Sequence, residues 1–221
     1  DLDLPGQLHA AFFRSPYAHA EIAGLDLSAA RTLPGVAAVL AWSDIEPVCK
    51  PWTTISASFP GLKSPTQYPL AANRVTFQGE PVCVALASSR AIAEDAAELI
   101  EADFHECEPA ADYRTGLLPG APLAHPELGT NLAWSCDLVG GEVDALFAAA
   151  ATMVEERLVF TRHTGVPLEA RSILASYEPG IGTIEVRVSN QVPHQLQVHL
   201  AEFLGLPMAK VRVVAPDVGG G

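Results

Sequence analysis

Positive charge is scarce in this sequence. Its 221 residues contain 13 lysines and arginines against 26 aspartates and glutamates, so the formal net charge is -13 at pH 7. The basic residues are scattered along the chain and form no basic patch. Because this excess of acidic groups would repel a phosphate backbone, we expect no nucleic-acid partner.

Long hydrophobic runs are also missing from the sequence. No stretch approaches the roughly 20 apolar residues that cross a bilayer. No charged-then-apolar leader opens the chain, which starts at Asp1. We therefore expect no membrane span and a cytoplasmic location.

Closely spaced metal ligands are the third absence. The four cysteines stand at positions 49, 83, 107 and 136 without a C-x-x-C pair, so local spacing predicts no zinc ribbon and no iron–sulfur cluster. His194 and His199 are five residues apart, which is the wrong offset for two ligands on one helical face. We expect free, buried thiols and no metal ion held by protein side chains.

The composition is typical of a compact globular protein, with 49% hydrophobic and 18% charged residues. Eight acidic residues fall between Glu94 and Asp112, with no lysine or arginine among them. This pattern favours the solvated side of a helix and the turn after it. A surface for a cation or a protein partner is the alternative.

The first part of the chain alternates between short strand and helix patterns. Strands are predicted over residues 8–13 and over the segment "PGVAAVLAW". The run Pro81–Ala87 is apolar throughout, as is typical of a strand covered on both faces. Between them, the proline-rich residues 47–69 indicate an irregular excursion.

A helix is predicted directly after Pro81–Ala87. Ser88 or Ser89 would cap it, and the pattern extends over residues 90–104. Its apolar stripe would face a sheet. That stripe consists of Ile92, Ala96, Leu99 and Ile100.

A proline- and glycine-rich, almost uncharged segment, residues 116–130, indicates a linker between two domains. Behind it we predict a helix over "EVDALFAAAA", a strand over "TMVEERLVFTRHTG" and a hairpin over "RSILASYEPGIGTIEVRVSN". A helix over "PHQLQVHLAEFLGLP" and a returning strand over "KVRVVAP" complete the pattern.

Three consecutive glycines, Gly219, Gly220 and Gly221, directly follow the last predicted strand. Glycine permits positive φ and leaves amide groups unshielded, so such a loop can present several N–H donors to an anion or an oxo group. A flexible chain end is the alternative. Pro216 and Asp217 favour a shaped loop, because both form turns.

Gln191 stands at the end of a predicted strand and just before a predicted helix, where its amide could bind a ligand or satisfy backbone groups at the helix start. Four ionisable residues gather in "RHTGVPLEAR", where acid–base chemistry and a buried ion pair of Glu169 with an arginine both remain open. For Glu80 we favour a turn carboxylate. The four residues are Arg162, His163, Glu169 and Arg171.

Six segments, taken together and in order, resemble one enzyme family: the molybdopterin-binding large subunits of xanthine dehydrogenases, aldehyde oxidases and aerobic carbon monoxide dehydrogenases. The resemblance covers essentially the whole chain and is strongest to the bacterial carbon monoxide dehydrogenase-like branch. The segments are "LHAAFFRSPYAHAEI", "VTFQGEPVCVALASSRAIAEDAAELIEADF", "HPELGTNLAW", "RHTGVPLEARSILASYEP", "QVPHQLQVHLAEFLGL" and "VRVVAPDVGGG".

The resemblance implies an α+β protein. An α/β hammerhead domain would occupy residues 1–115, a linker residues 116–130, and the first part of a molybdenum cofactor-binding domain residues 131–221. Molybdenum would be held by molybdopterin in its cytosine dinucleotide form, and not by protein side chains. Gln191 matches the family glutamine that points toward the metal's oxo group. Gly219, Gly220 and Gly221 match the glycine loop whose amides approach the cofactor.

The resemblance also implies a function. The chain would be an N-terminal portion or a split subunit of a molybdenum hydroxylase, which oxidises an aldehyde, an N-heterocycle or carbon monoxide with water as the oxygen source. Its partners would be the remainder of the large subunit, an FAD-binding medium subunit, an iron–sulfur small subunit and a small-molecule substrate.

No catalytic residue of the family maps onto this sequence, so we expect the chain to be inactive by itself. A non-catalytic assembly or scaffold module that keeps the fold is the alternative function. A phosphate-binding α/β protein built on the glycine loop is a third.

Overall fold

The computed structural model describes residues 2–54, 59–161 and 163–220. Five short helices occur in these residues: α1 (Ser28–Thr32), α2 (Trp42–Ile45), α3 (Arg90–Glu98), α4 (Val143–Ala149) and α5 (Pro193–Phe203). The strands are β1 (His9–Arg14), β2 (Ala20–Asp26), β3 (Val36–Ala41), β4 (Arg74–Val75), β5 (Pro81–Ala87), β6 (Glu101–Glu106), β7 (Ile173–Glu178), β8 (Thr183–Val188) and β9 (Val211–Val214).

Two three-stranded antiparallel sheets and helix α3 build the first part of the molecule. One sheet has the order β1-β5-β3 and the other the order β4-β2-β6. Helix α3 packs against β1 and β5. The core between these elements is made of small and branched apolar side chains that are less than one tenth exposed. They include Ala20, Val39, Val75, Val82, Cys83, Ala85, Ala96 and Ile100.

The structure confirms the predicted strand Pro81–Ala87, which is the central strand of its sheet. The following helix begins as predicted, because the hydroxyl of Ser89 accepts a hydrogen bond from the Ile92 amide at 3.3 Å. Such a cap satisfies one of the amides left free at a helix start. These elements place α3 on the sheet.

The predicted extent of this helix is wrong at its far end. Helix α3 ends at Glu98, and residues 101–106 form strand β6, which pairs with β2. Alanine and glutamate favour helix locally, but the edge of β2 offers a ladder of hydrogen bonds that overrides this preference. As a consequence Leu99 is 41% exposed and does not join the buried stripe.

The proline-rich excursion, residues 47–69, is mostly irregular in its described part, as predicted. Trp52 and Gln67 form an isolated antiparallel bridge within it. The indole of Trp52 stacks on the ring of Phe203 in α5 with the ring centres 5.2 Å apart, and the Lys50 amide donates to the Phe203 carbonyl at 2.8 Å. The excursion therefore connects the first part of the chain to α5.

The second part of the chain contains one three-stranded sheet with the order β7-β8-β9. The predicted hairpin is confirmed as the antiparallel pair β7 and β8. Strand β9 returns parallel to β8 after the crossover through α5, which packs on β9. The predicted helix over "PHQLQVHLAEFLGLP" is confirmed, with Pro193 in its first turn.

The strand predicted over residues 152–165 is wrong. Residues 152–161 and 163–165 form no regular element, and Leu158 and Phe160 are 80% and 90% exposed. A strand needs a neighbour to pair with, and the described residues provide none here. Helix α4 forms where predicted, but none of its residues is buried.

No helix among the described residues is both long and apolar enough to cross a membrane.

Candidate cofactor site

The topology of the second sheet brings the predicted site residues to one edge. Strands β8 and β9 are parallel, with Ile184 opposite Val211 and Arg187 opposite Val214, so their carboxyl ends lie at the same edge. Gln191 follows the end of β8, and Gly219 follows the end of β9. Open parallel sheets bind ligands in the crevice outside their carboxyl ends.

The side chain of Gln191 is exposed at this edge. The alternative role at the helix start is taken by its neighbour, because the Asn190 carbonyl oxygen Oδ1 accepts a hydrogen bond from the Val192 amide at 2.7 Å. Within the described part of the chain, no hydrogen bond engages the Gln191 amide. That amide therefore remains available both to donate and to accept.

Gly219 and Gly220 approach their own chain closely. The Gly219 amide donates a hydrogen bond to the Glu169 carboxylate, and a Cβ atom on Gly219 would lie 2.6 Å from the Glu169 Cβ. Gly220 has a φ of 122°, and a Cβ atom there would lie 2.8 Å from the Pro167 Cβ. Glycine is thus required at both positions by contacts within the chain. Gly221 lies outside the described residues.

The described residues of the ionisable cluster are more exposed than a buried ion pair would be. Glu169 is only partly buried and Arg171 is exposed, and no ion pair joins Glu169 to a described arginine. His163 is exposed, with Nδ1 3.2 Å from the Thr161 carbonyl oxygen. A buried pair of Glu169 with Arg171 is therefore wrong. Arg162 lies outside the described residues.

Glu80 has the role predicted for it. Its carboxylate accepts hydrogen bonds from the Thr76 amide at 2.6 Å and from the Thr76 hydroxyl at 3.1 Å. It therefore fixes the turn before β5 and contributes nothing to the edge that carries Gln191.

A cavity of about 910 Å³ opens beside this edge. Ser189 and Asp217 line it, each two residues before a predicted site residue, and Glu169, Arg171 and Arg187 contribute charge. Gln191, Gly219 and Gly220 do not line it themselves. The hollow therefore adjoins the predicted site without coinciding with it.

An ion pair between Arg212 of β9 and Glu185 of β8 joins the two parallel strands. The Glu185 carboxylate accepts from the Arg187 guanidinium at 2.9 Å and from the Arg212 guanidinium at 2.6 Å. The hydrogen bond from Arg187, with the positive charges of both arginines, lowers the pKa of Glu185. Glu185 therefore stays ionised at neutral pH and links the two strands that carry the site.

The cysteines are free, as predicted, but only Cys83 is fully buried. Burial, with a smaller contribution from the nearby Asp44 carboxylate, raises the pKa of Cys83 to about 11. Cys136 is exposed, whereas Cys49 and Cys107 are partly buried. Among the described residues, no three histidine, cysteine, aspartate or glutamate side chains are grouped closely enough to bind a metal ion.

The contact between Glu169 and Gly219 was not predicted, because 50 residues separate them and only the sheet topology brings them together. The signal that could have found the contact is the hairpin itself. Pairing of Ile173 with Val188 puts the start of β7 at the edge where β8 ends. Glu169, four residues before β7, must then lie near that edge.

Two family models match the chain. The aldehyde oxidase and xanthine dehydrogenase a/b hammerhead domain matches residues 1–108, and the molybdopterin cofactor-binding domain matches residues 124–221. The edge that carries Gln191 and the glycines belongs to the second match.

Relatives and solved structures agree with these matches. The chain is 38% identical to the nicotine 6-hydroxylase large subunit of Paenarthrobacter nicotinovorans over 100% of its own length and 27% of that protein. It is 31% identical to the carbon monoxide dehydrogenase large chain of Hydrogenophaga pseudoflava, over 100% of itself and 28% of that chain.

Among solved structures, the quinoline 2-oxidoreductase of Pseudomonas putida 86 superposes with a TM-score of 0.94 at 33% identity, over 100% of this chain and 28% of that one. The chain thus spans little more than a quarter of the length of these proteins. With both regions matched in order, the chain belongs to the molybdopterin-binding large subunits of the xanthine dehydrogenase, aldehyde oxidase and carbon monoxide dehydrogenase family.

Proposed function

We propose that this chain forms one wall of the molybdopterin pocket of a molybdenum-containing oxidoreductase. The observation that carries the proposal is the parallel pairing of β8 and β9, which brings Gln191 and the glycine segment, Gly219 and Gly220, to one edge of the sheet. Exposed backbone at Gly219 and Gly220 and an unengaged amide at Gln191 fit a large polar cofactor that binds through hydrogen bonds.

Each residue has a distinct role in this proposal. The Gln191 side chain donates to or accepts from a polar ligand atom of the metal centre. The Gly220 backbone forms the surface on which the cofactor rests. The amino-terminal end of α5, at Pro193, carries a partial positive charge that favours anionic groups at this edge. When bound, molybdopterin-held molybdenum supplies two-electron redox chemistry.

For the substrate we propose an N-heterocycle, because the nicotine and quinoline enzymes are more similar to this chain, at 38% and 33% identity, than two carbon monoxide dehydrogenases, at 31% and 32%. Water would supply the hydroxyl oxygen, and each turnover would release two electrons and two protons. The electrons would pass to iron–sulfur clusters and FAD on a small and a medium partner subunit.

The finer form of the cofactor is also a proposal. We propose the cytosine dinucleotide form, in a cytoplasmic enzyme whose large subunit includes further sequence beyond the portion described. We also propose the domain limits. The hammerhead domain would span residues 1–115, the linker residues 116–130 and the cofactor-binding domain residues 131–221.

The test uses the natural protein, purified with its accompanying subunits. We expect about one molybdenum per large subunit by elemental analysis, cytidine monophosphate after acid hydrolysis, and turnover of nicotine or quinoline above that of carbon monoxide. Gln191→Ala should lower kcat/KM about 10- to 100-fold, the usual effect of losing a group that orients a metal centre. Gln195→Ala, an exposed glutamine on α5, is the matched control.

Two outcomes would overturn the proposal. A natural protein without molybdenum would favour the scaffold function. Equal activity of the Gln191→Ala and Gln195→Ala variants would remove Gln191 from the site.

A further inference from the structure

We propose that Glu169 is a positioning residue that seats the glycine segment at the cofactor edge. The inference deepens the function proposed above and rests on it. Glu169 does not touch the cofactor in this proposal. It acts through Gly219, whose backbone amide donates a hydrogen bond to its carboxylate.

Sheet topology explains why Glu169 reaches the edge. Strand β7 is antiparallel to β8, with Ile173 opposite Val188, so the start of β7 lies where β8 ends. Because β9 is parallel to β8, it ends at the same place. The approach to β7, the exit of β8 and the exit of β9 therefore deliver Glu169, Gln191 and Gly219 to one edge.

The contact combines close packing with the hydrogen bond. We call this fit of Gly219 and Gly220 against Glu169 and Pro167 the seat. A side chain on Gly219 would collide with the Glu169 stem, since its Cβ would lie 2.6 Å from the Glu169 Cβ and 3.0 Å from Oε2. The next residue continues the contact, because a Cβ on Gly220 would lie 2.8 Å from the Pro167 Cβ. Two residues of one segment therefore fit two residues of the other.

The two glycines differ in whether their backbone amides are hydrogen-bonded. The Gly219 amide is engaged by Glu169, and within the described chain no hydrogen bond engages the Gly220 amide. With a φ of 122°, Gly220 turns the backbone immediately after the anchored residue. Glu169 thus sets the direction in which the free Gly220 backbone faces.

The chemistry of the side chain allows a test by rescue. Glutamine keeps an oxygen acceptor at the position of Oε2 and the same stem length, whereas alanine removes the acceptor. Loss of one hydrogen bond from an amide to a carboxylate should speed hydrogen exchange of that amide about 3- to 10-fold. We therefore compare Glu169→Ala with Glu169→Gln, and use Glu202→Ala as an exposed control on α5.

Two readouts in the natural protein separate the inference from the function on which it rests. Hydrogen exchange of the peptide that contains Gly219 and Gly220 reports the seat, whether or not cofactor is bound. Molybdenum retained after prolonged dialysis reports the cofactor. We expect Glu169→Ala to exchange 3- to 10-fold faster and to retain less than half of the molybdenum, with both values restored by Glu169→Gln and unchanged by Glu202→Ala.

Each contrary result has a definite meaning. Unchanged exchange in Glu169→Ala would overturn the seat itself. Faster exchange with unchanged molybdenum in a protein that contains the metal would show that the seat does not serve the cofactor. More molybdenum in Glu169→Ala would make Glu169 a competitor for the site, which also contradicts the inference. A protein that holds no molybdenum, but in which Glu169→Ala still exchanges faster, would contradict only the proposed function.

Discussion

The two parts of this chain differ most in how they bury apolar surface. In the described residues up to 108, a continuous core joins two sheets and α3, and side chains such as Val75, Val82 and Ala85 are fully buried. From residue 116 onward, the described side chains that are fully or nearly buried are Val186, Ala201 and Val211. The first part is thus held together by its core, and the second mainly by strand pairing and the packing of α5.

This difference in packing fits the location of the proposed site, which lies in the less densely packed part of the chain. A packed core resists small displacements, whereas the exposed edge of β8 and β9 leaves backbone and side-chain groups accessible. Trp52 and Lys50 of the first part bind Phe203 at the far end of α5. The excursion of the first part therefore contacts one end of α5, and the opposite end, at Pro193, lies at the proposed site.

The largest expected effect comes from placing a charge in the packed region. Ala85 is fully buried in the central strand β5, so Ala85→Asp should destabilise the first part by more than about 4 kcal/mol. Leu158→Asp, at an exposed site of the second part, should change stability by less than about 0.5 kcal/mol. Limited proteolysis with mass spectrometry measures each region in the 221-residue chain. Equal destabilisation by both variants would contradict the difference in packing between the two parts of the chain.

Thiol reactivity should separate the two regions next. At pH 8 a thiol with a pKa of about 11, such as Cys83, is only about 0.1% ionised. Because its pKa is raised, reactivity should increase as pH rises toward that value. We expect exposed Cys136 to react with a maleimide more than about 100-fold faster than buried Cys83. Peptide mapping of the labelled protein measures the two rates. Similar rates for Cys136 and Cys83 would show that the core of the first part is open to the reagent.

The smallest expected effect concerns the contact between the regions. Trp52 and Phe203 stack with ring centres 5.2 Å apart, so a double-mutant cycle with alanine should give a coupling free energy of about 0.5–1.5 kcal/mol. Trp52→Ala combined with Phe147→Ala is the control. Phe147 lies on exposed α4, and the two effects should add within about 0.5 kcal/mol. Zero coupling in urea unfolding would mean that the excursion does not support α5.

Much of the fold could be predicted where one strong local signal decides. The apolar run Pro81–Ala87 and the hairpin at residues 173–188 form as predicted, because alternation and turn residues act over neighbouring positions. Residues 101–106 could not be assigned in this way, since their helical composition yields to pairing with β2. For residues 152–165 we predicted a strand, for which the described chain offers no partner.

The same distinction between local signals and contacts of distant segments applies to the candidate site. Gln191 and the glycines could be proposed from motifs close to strand ends. The role of Glu169 could not, because it depends on three strand ends that meet only after folding. From the sequence, we attributed the glycines at these positions only to the approach of the cofactor. The structure shows a further reason, which is the close fit of Gly219 and Gly220 against Glu169 and Pro167.

Anomalous scattering at the molybdenum absorption edge, measured on crystals of the natural protein, locates the metal directly. We expect one strong peak at the carboxyl edge of β8 and β9, with a polar atom of the metal centre within about 3 Å of the Gln191 amide. We also expect cofactor density against the Gly220 backbone. A molybdenum peak on another face of the molecule, with Gln191 and Gly220 facing only solvent, would contradict the account.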